Sequence, residues 1–169
     1  MTTLTHALDK ASAGYASPDE ERPLASYAGL TSAYVVAFSA AALALRAAGR
    51  ELPQRPHVYD LLLAGIATHK ASRLLTKDKV TSFIRAPFTR YQEPGGHGEV
   101  EEAPRGHGMQ LAIGELLVCP YCLAQWIASG FSVGMVAAPR QTRFVASIFT
   151  VQTLADVLQL AYKAAEEQA

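Results

Sequence analysis

Two long stretches of this chain carry no charge, and that constrains its fold more than any other feature. Leu24 to Leu45 runs for 22 residues without Asp, Glu, Lys or Arg, and Leu116 to Pro139 for 24. A helix of ~20 apolar residues crosses a hydrocarbon core about 30 Å thick, so both stretches are long enough to span a bilayer. Two further segments accompany them. Phe144 to Tyr162 is uncharged over 19 residues except for Asp156, and Val58 to Leu75 opens on Leu61-Leu62-Leu63-Ala64-Gly65-Ile66-Ala67 before reaching His69, Lys70 and Arg73. Charged groups inside a bilayer face protein or snorkel to its edge, so this last segment departs furthest from a lipid-facing span. The competing reading is a soluble bundle with helices apolar on every side. Such helices occur in large cores, but a chain of 169 residues has little polar surface with which to hide two of them.

The length suits one domain, and 18% charged residues is low against the ~25% of ordinary soluble domains. Fifteen basic residues against fifteen acidic ones leave no electrostatic footprint for nucleic acid, and two cysteines do not make a disulfide scaffold. The start of the chain is polar and mixed, with no basic region followed by an apolar core, so no cleavable signal peptide is visible.

Helix punctuation divides the rest. Gly49 and Pro53 follow the first segment, Pro56 precedes the second, and Pro139-Arg140 closes the third. The Gly- and Pro-rich run from Tyr91 to Gly108 reads as a loop. The expected organisation is a polar tail over residues 1–23 and a single helical membrane domain over residues 24–169, with helices at about 24–48, 58–76, 116–138 and 142–164. The fold predicted is all-α, a four-helix transmembrane bundle with a cytoplasmic loop between its second and third helices.

Four spans place both termini and the central loop on one side. That side holds ten Lys and Arg (Lys10, Arg22, Lys70, Arg73, Lys77, Lys79, Arg85, Arg90, Arg105, Lys163) against five on the other (Arg46, Arg50, Arg55, Arg140, Arg143). The positive-inside bias then puts both termini and the central loop in the cytoplasm. Val80 to Tyr91 mixes aromatics with arginines, which suits either a piece lying at headgroup level with guanidinia on phosphates or an ordinary surface loop.

Three constellations carry candidate chemistry. Cys119-Pro120-Tyr121-Cys122 places two sulfurs one helical turn apart, with Pro120 suited to the first helical position and Cys119 to the cap, where the helix dipole activates a thiol. Packing, thiol redox chemistry and metal ligation all remain open for it. Zinc would need further ligands, with His69 the candidate drawn into a Cys119, Cys122, His69 set, although His69, His97 and His107 lack ligand spacing to the cysteines. A reducing cytoplasmic mouth argues for free thiols over a permanent disulfide.

The second constellation is the basic stripe His69, Lys70, Arg73 and Lys77, which falls within one quarter of a helix face. Asp156 and Glu115 are the available carboxylates, with Arg73 the expected cation. The pairing fixes helix register or forms a polar site. In the third, Gly130, Gly134 and Ala138 recur every four residues with Trp126 one turn before them, a small-residue face for intrachain packing or for a seam between copies.

Several of these residues also carry a resemblance. Arg73-Leu74-Leu75 with Asp78, Arg85-Ala86-Pro87, and Gly114-Glu115-Leu116 followed by Cys119-Pro120-Tyr121-Cys122 and Trp126 look like the domain of unknown function 1360 family over about residues 57–162. The whole chain is most similar to its actinobacterial members. The resemblance implies a small bacterial integral membrane protein. It implies no particular activity, although some relatives in spore-forming bacilli are described as sporulation proteins. It singles out Asp78, Arg85, Glu115, Cys119, Cys122 and Trp126.

No Gly-rich phosphate loop, His-Glu-x-x-His or Gly-x-Ser-x-Gly occurs. The expectation is a structural or accessory membrane protein acting by packing or partner binding, with a thiol-redox or metal-binding protein as the alternative. No cofactor is expected, zinc being the one to consider. The expected partners are the lipid bilayer and a protein or a second copy, not nucleic acid.

Overall fold

The computed structural model describes Tyr15 and residues 22–168, so most of the predicted polar tail lies outside the described residues. Helices dominate: α1 (Leu24–Ala47), α2 (Val58–Thr76), a 3-10 turn (Lys79–Thr81), α3 (Ser82–Arg85), α4 (Gly108–Val118), α5 (Pro120–Ala137) and α6 (Pro139–Glu166), with strands β1 (Thr89–Pro94) and β2 (Val100–Pro104) between α3 and α4. Among the described residues two helices, α1 and α6, are long and apolar enough to cross a membrane, and α4 with α5, bent by 82°, meet the same test when taken together. Large apolar side chains on both stand exposed, among them Val36 and Leu43 on α1 and Val151 and Leu158 on α6.

The ends of α1 follow from local chemistry. The Pro23 carbonyl accepts the first helical N–H groups, from Ser26 and Tyr27. At the other end Gly49 adopts φ 69°, the left-handed region that favours glycine. There Gly49 N donates to Arg46 O and Arg50 N to Leu45 O, which satisfies carbonyls that the helix would leave open.

Two predictions about the middle of the chain are corrected. The central segment is not a structureless loop, and the fold is not purely α. β1 and β2 pair antiparallel, from Thr89 opposite Pro104 to Pro94 opposite Val100, with a bulge between Tyr91 and Glu93. Short strands broken by a bulge, with glutamates in both, lack the apolar alternation that marks a strand in sequence. The third predicted helix is also two helices. Cys119 is extended (φ −105°, ψ 103°) because Pro120 crowds the residue before it and has no N–H to continue the ladder.

The chain divides into two compact units. Among the described residues the first comprises Tyr15, 22–39 and 76–119. In it α4 lies against β2, and the hairpin is tied back to the chain after α2, with Val100 N donating to Lys77 O and Lys79 N to Gly98 O, both at 2.9 Å. Val100, Thr89, Thr76, Ala112 and Gly114 are buried here. Gly114 lets α4 approach closely: a Cβ there would stand 2.5 Å from the Phe88 carbonyl oxygen and 3.1 Å from Pro104 Cβ.

Among the described residues the second unit comprises 40–75 and 120–168. Its core is Leu63, Ala67 and Ala146, with Phe131, Met135 and Phe149 packed around them. Phe131 and Phe149 meet edge to face at 6.4 Å. Asp60 pairs with Arg143, and Lys70 with Asp156. Partner numbers therefore rise together along α2 and α6, so these two helices run parallel. α5 and α6 pack on each other across a short link, with Gly134 against Thr142.

Candidate functional site

The most enclosed polar arrangement lies in the first unit. Arg85, at the end of α3, is 0% exposed, an extreme position for a guanidinium. Its Nε donates to Glu102 Oε2 at 2.5 Å, Nη1 to Thr81 Oγ1 at 2.8 Å and Nη2 to the Asp78 carbonyl at 3.1 Å. The side chain of Glu102 is only 6% exposed, so each buried charge neutralises the other. The Arg85 carbonyl accepts from Thr89 Oγ1, which fixes the start of β1. Asp78 serves through its backbone carbonyl, which also accepts from Thr81 Oγ1, and through a bridge to Glu99. Lys77, the last residue of the predicted basic stripe, pairs with Glu101 at 2.7 Å. Because Arg85 is buried, its guanidinium is not the phosphate contact that a headgroup-level segment would use.

Glu115 on α4 accepts a 2.5 Å hydrogen bond from Tyr27 Oη and has Arg22 Nη1 at 3.6 Å. Asp156 pairs with Lys70, at 2.7 Å. His69 and Arg73, with Thr68 and Ser72, line a pocket of about 270 Å³ in the second unit, together with Pro120 and Tyr121 at the start of α5.

Cys119 and Cys122 are joined to each other as a disulfide, where a reducing compartment predicted free thiols. The bond links the extended cap residue to the first turn of α5. Among the described residues no group of three or more His, Cys, Asp or Glu gathers as a metal site.

The small-residue face divides. Gly134 is in close contact, since a Cβ would meet Thr142 Oγ1 at 2.7 Å, whereas nothing lies within 4 Å of a Cβ at Gly130. Ala138 precedes α6, and its carbonyl accepts from Thr142 N and Oγ1. Trp126 is half-buried on α5.

Two partners were not anticipated. Glu102 lies in a segment read as loop, and the visible signal was the consecutive pair Glu101-Glu102, which meets two different cations. Asp60 and Arg143 form a two-pronged pair at 2.8 and 2.7 Å; they lie 83 residues apart, and only helix docking brings them together.

The chain is thus a mostly helical protein with two candidate membrane spans, a charge-clamped hairpin and a Cys-Pro-Tyr-Cys disulfide. It belongs to the family described as protein of unknown function (DUF1360), whose profile matches residues 62–162. A sporulation protein of Bacillus subtilis (strain 168), YjcA, is 24% identical over 102 residues, covering 59% of this chain and 86% of the relative. The UPF0713 protein YngL of the same organism is 30% identical over 78 residues, covering 44% of this chain and 56% of the relative. No solved structure matches.

Proposed function

We propose that this chain is an accessory protein of the bacterial plasma membrane, a four-span helical anchor that holds the hairpin module at the cytoplasmic face for a protein partner. The observation that carries this reading is the division of side chains in the first unit. Four of its charged groups, Arg85 with Glu102 and Lys77 with Glu101, pair within the module's own frame. Three neighbouring apolar side chains after α2 turn outward instead, Val80 77%, Phe83 73% and Ile84 42% exposed. A frame fixed in this way presents a rigid apolar edge, which suits partner binding better than turnover of a substrate.

Four spans are supported by the parallel run of α2 and α6, the second and fourth traverses of an alternating bundle, and by the pairing of α2's Asp60 and Lys70 with α6. The distribution of basic residues favours both termini and the hairpin lying inside. The name of the relative YjcA is compatible with an accessory role in sporulation.

Photo-crosslinking in cells tests the reading. A photoreactive residue at Phe83 is expected to form protein adducts, and one at Phe38 on α1 to form lipid adducts alone. Lipid adducts alone at both positions would make the segment a membrane-surface element and overturn the partner reading.

The disulfide favours a second reading, a membrane thiol protein with Cys119 attacking and Cys122 resolving. Cys119 closes α4 and immediately precedes α5, whose positive end favours a thiolate there. After reduction, alkylation of Cys119 followed across pH is expected to report a thiol pKa clearly below the free value of about 8.5. A value at or above it removes the redox reading.

A further inference from the structure

The pocket lined by Thr68, His69, Ser72 and Arg73 of α2, with Pro120 and Tyr121 of α5, lies wholly within the second unit. Three independent features of it favour one kind of ligand. Thr68 is only 8% exposed, yet its Oγ1 has no hydrogen-bond partner. A buried hydroxyl without a partner is costly, and it is commonly explained by a ligand or an ordered water. Arg73 and His69 bring cationic or donor groups to the wall, and none of the described residues lining it is acidic. The five N–H donors of an arginine allow Arg73 to hold a protein partner and a ligand oxygen together. Finally, α5 begins at this pocket, and beyond Pro120, which has no N–H, the first turn of this 18-residue helix carries N–H groups without partners inside the helix and the positive end of its dipole.

We propose that this pocket binds a phosphate group. The ligand is a phosphate mono- or diester, with oxygens held by the Arg73 guanidinium, the Thr68 hydroxyl and the first turn of α5. The volume suits a phosphate and a few further atoms, and it is below that of pockets for drug-sized molecules, which start at about 300 Å³. A phospholipid headgroup and a free phosphate present the same chemistry here. The site does not depend on the accessory role or on cycling of the disulfide.

The test uses the full-length chain in neutral detergent micelles with its disulfide intact. The thermal midpoint is followed while inorganic phosphate, or separately dihexanoyl phosphatidylglycerol, is titrated in. A ligand that binds only the folded state raises the midpoint saturably. Thr68→Val keeps the side-chain shape and removes only the hydroxyl, and it is expected to raise the half-saturating concentration about tenfold. Arg73→Gln is expected to raise it at least as much, and Arg73→Lys less, because a point charge keeps the attraction and loses the fork. Saturation by inorganic phosphate identifies a free phosphate ligand, and saturation by the lipid alone identifies a headgroup. If neither raises the midpoint, or if Thr68→Val leaves half-saturation unchanged, the proposal is overturned. Thr68→Val keeps the test decisive should the Arg73 variants fail to fold.

Discussion

Replacing Arg85 with methionine is expected to destabilise the hairpin unit by about 3–5 kcal/mol, the usual cost of removing one partner of a buried ion pair. The loss is large because of what stays behind. The Glu102 carboxylate, 6% exposed, loses its counter-charge, while Thr81 Oγ1 and the Asp78 carbonyl lose a donor. Methionine fills much of the volume, so the effect reports charge and hydrogen bonding more than a cavity. Hydrogen exchange in micelles is the measurement of choice, with the amides of Lys79 and Val100, which tie the hairpin to the chain after α2, expected to lose protection first. The double variant Arg85→Met, Glu102→Leu is expected to regain most of the loss, because no unpaired charge remains buried. A single variant as protected as the wild type, or a double variant no better than the single, would show that Arg85 does not neutralise Glu102.

Gly114→Ala is expected to cost at least the 1–3 kcal/mol typical of overpacking, although alanine is the better helix former by about 1 kcal/mol. The added methyl would sit 2.5 Å from the Phe88 carbonyl oxygen, a backbone atom that no rotamer change can move, and 3.1 Å from Pro104 Cβ. α4 must therefore lift from β2, the contact that closes the unit. Gly130→Ala is the control. Nothing stands within 4 Å of its Cβ, so the same exchange on α5 is expected to be neutral or slightly stabilising. Thermal unfolding of the two variants in parallel decides the matter, and equal midpoints would mean that Gly114 is not a close-approach position.

The legible part of the fold was the part governed by one local variable, the absence of charge over a helix's length. α1 was predicted at 24–48 and is found at Leu24–Ala47; α2 was predicted at 58–76 and is found at those bounds. Hydropathy alone misread the third segment, because it averages over Cys119-Pro120, where backbone sterics break the helix without changing polarity. The hairpin was missed for a related reason. Its strands are held by hydrogen bonds and by inward charge pairs, neither of which leaves a periodic apolar pattern.

The candidate residues divide along the same line. Asp78, Arg85 and Glu115 stood out by motif, but the motif was silent on what they touch. Asp78 acts through its carbonyl, Arg85 is sealed against Glu102, and Glu115 meets Tyr27. The basic stripe of α2 was visible as a stripe, yet its members part company. Lys70 pairs with Asp156 and Lys77, just beyond the helix, with Glu101, while His69 and Arg73 also line a pocket.

By itself, the amino-acid sequence determined that long uncharged helices exist, where most of them lie and which of them carries charge, because helix length and polarity depend on residues near one another in the chain. Only the tertiary structure decided which charge meets which, that a hairpin closes over Arg85, and that Thr68 is left buried with an unpartnered hydroxyl. Those outcomes depend on docking between segments far apart in the chain, such as Tyr27 and Glu115, 88 residues apart. Pairing at that distance is set by packing and by neutralising buried charge, neither of which a local pattern records.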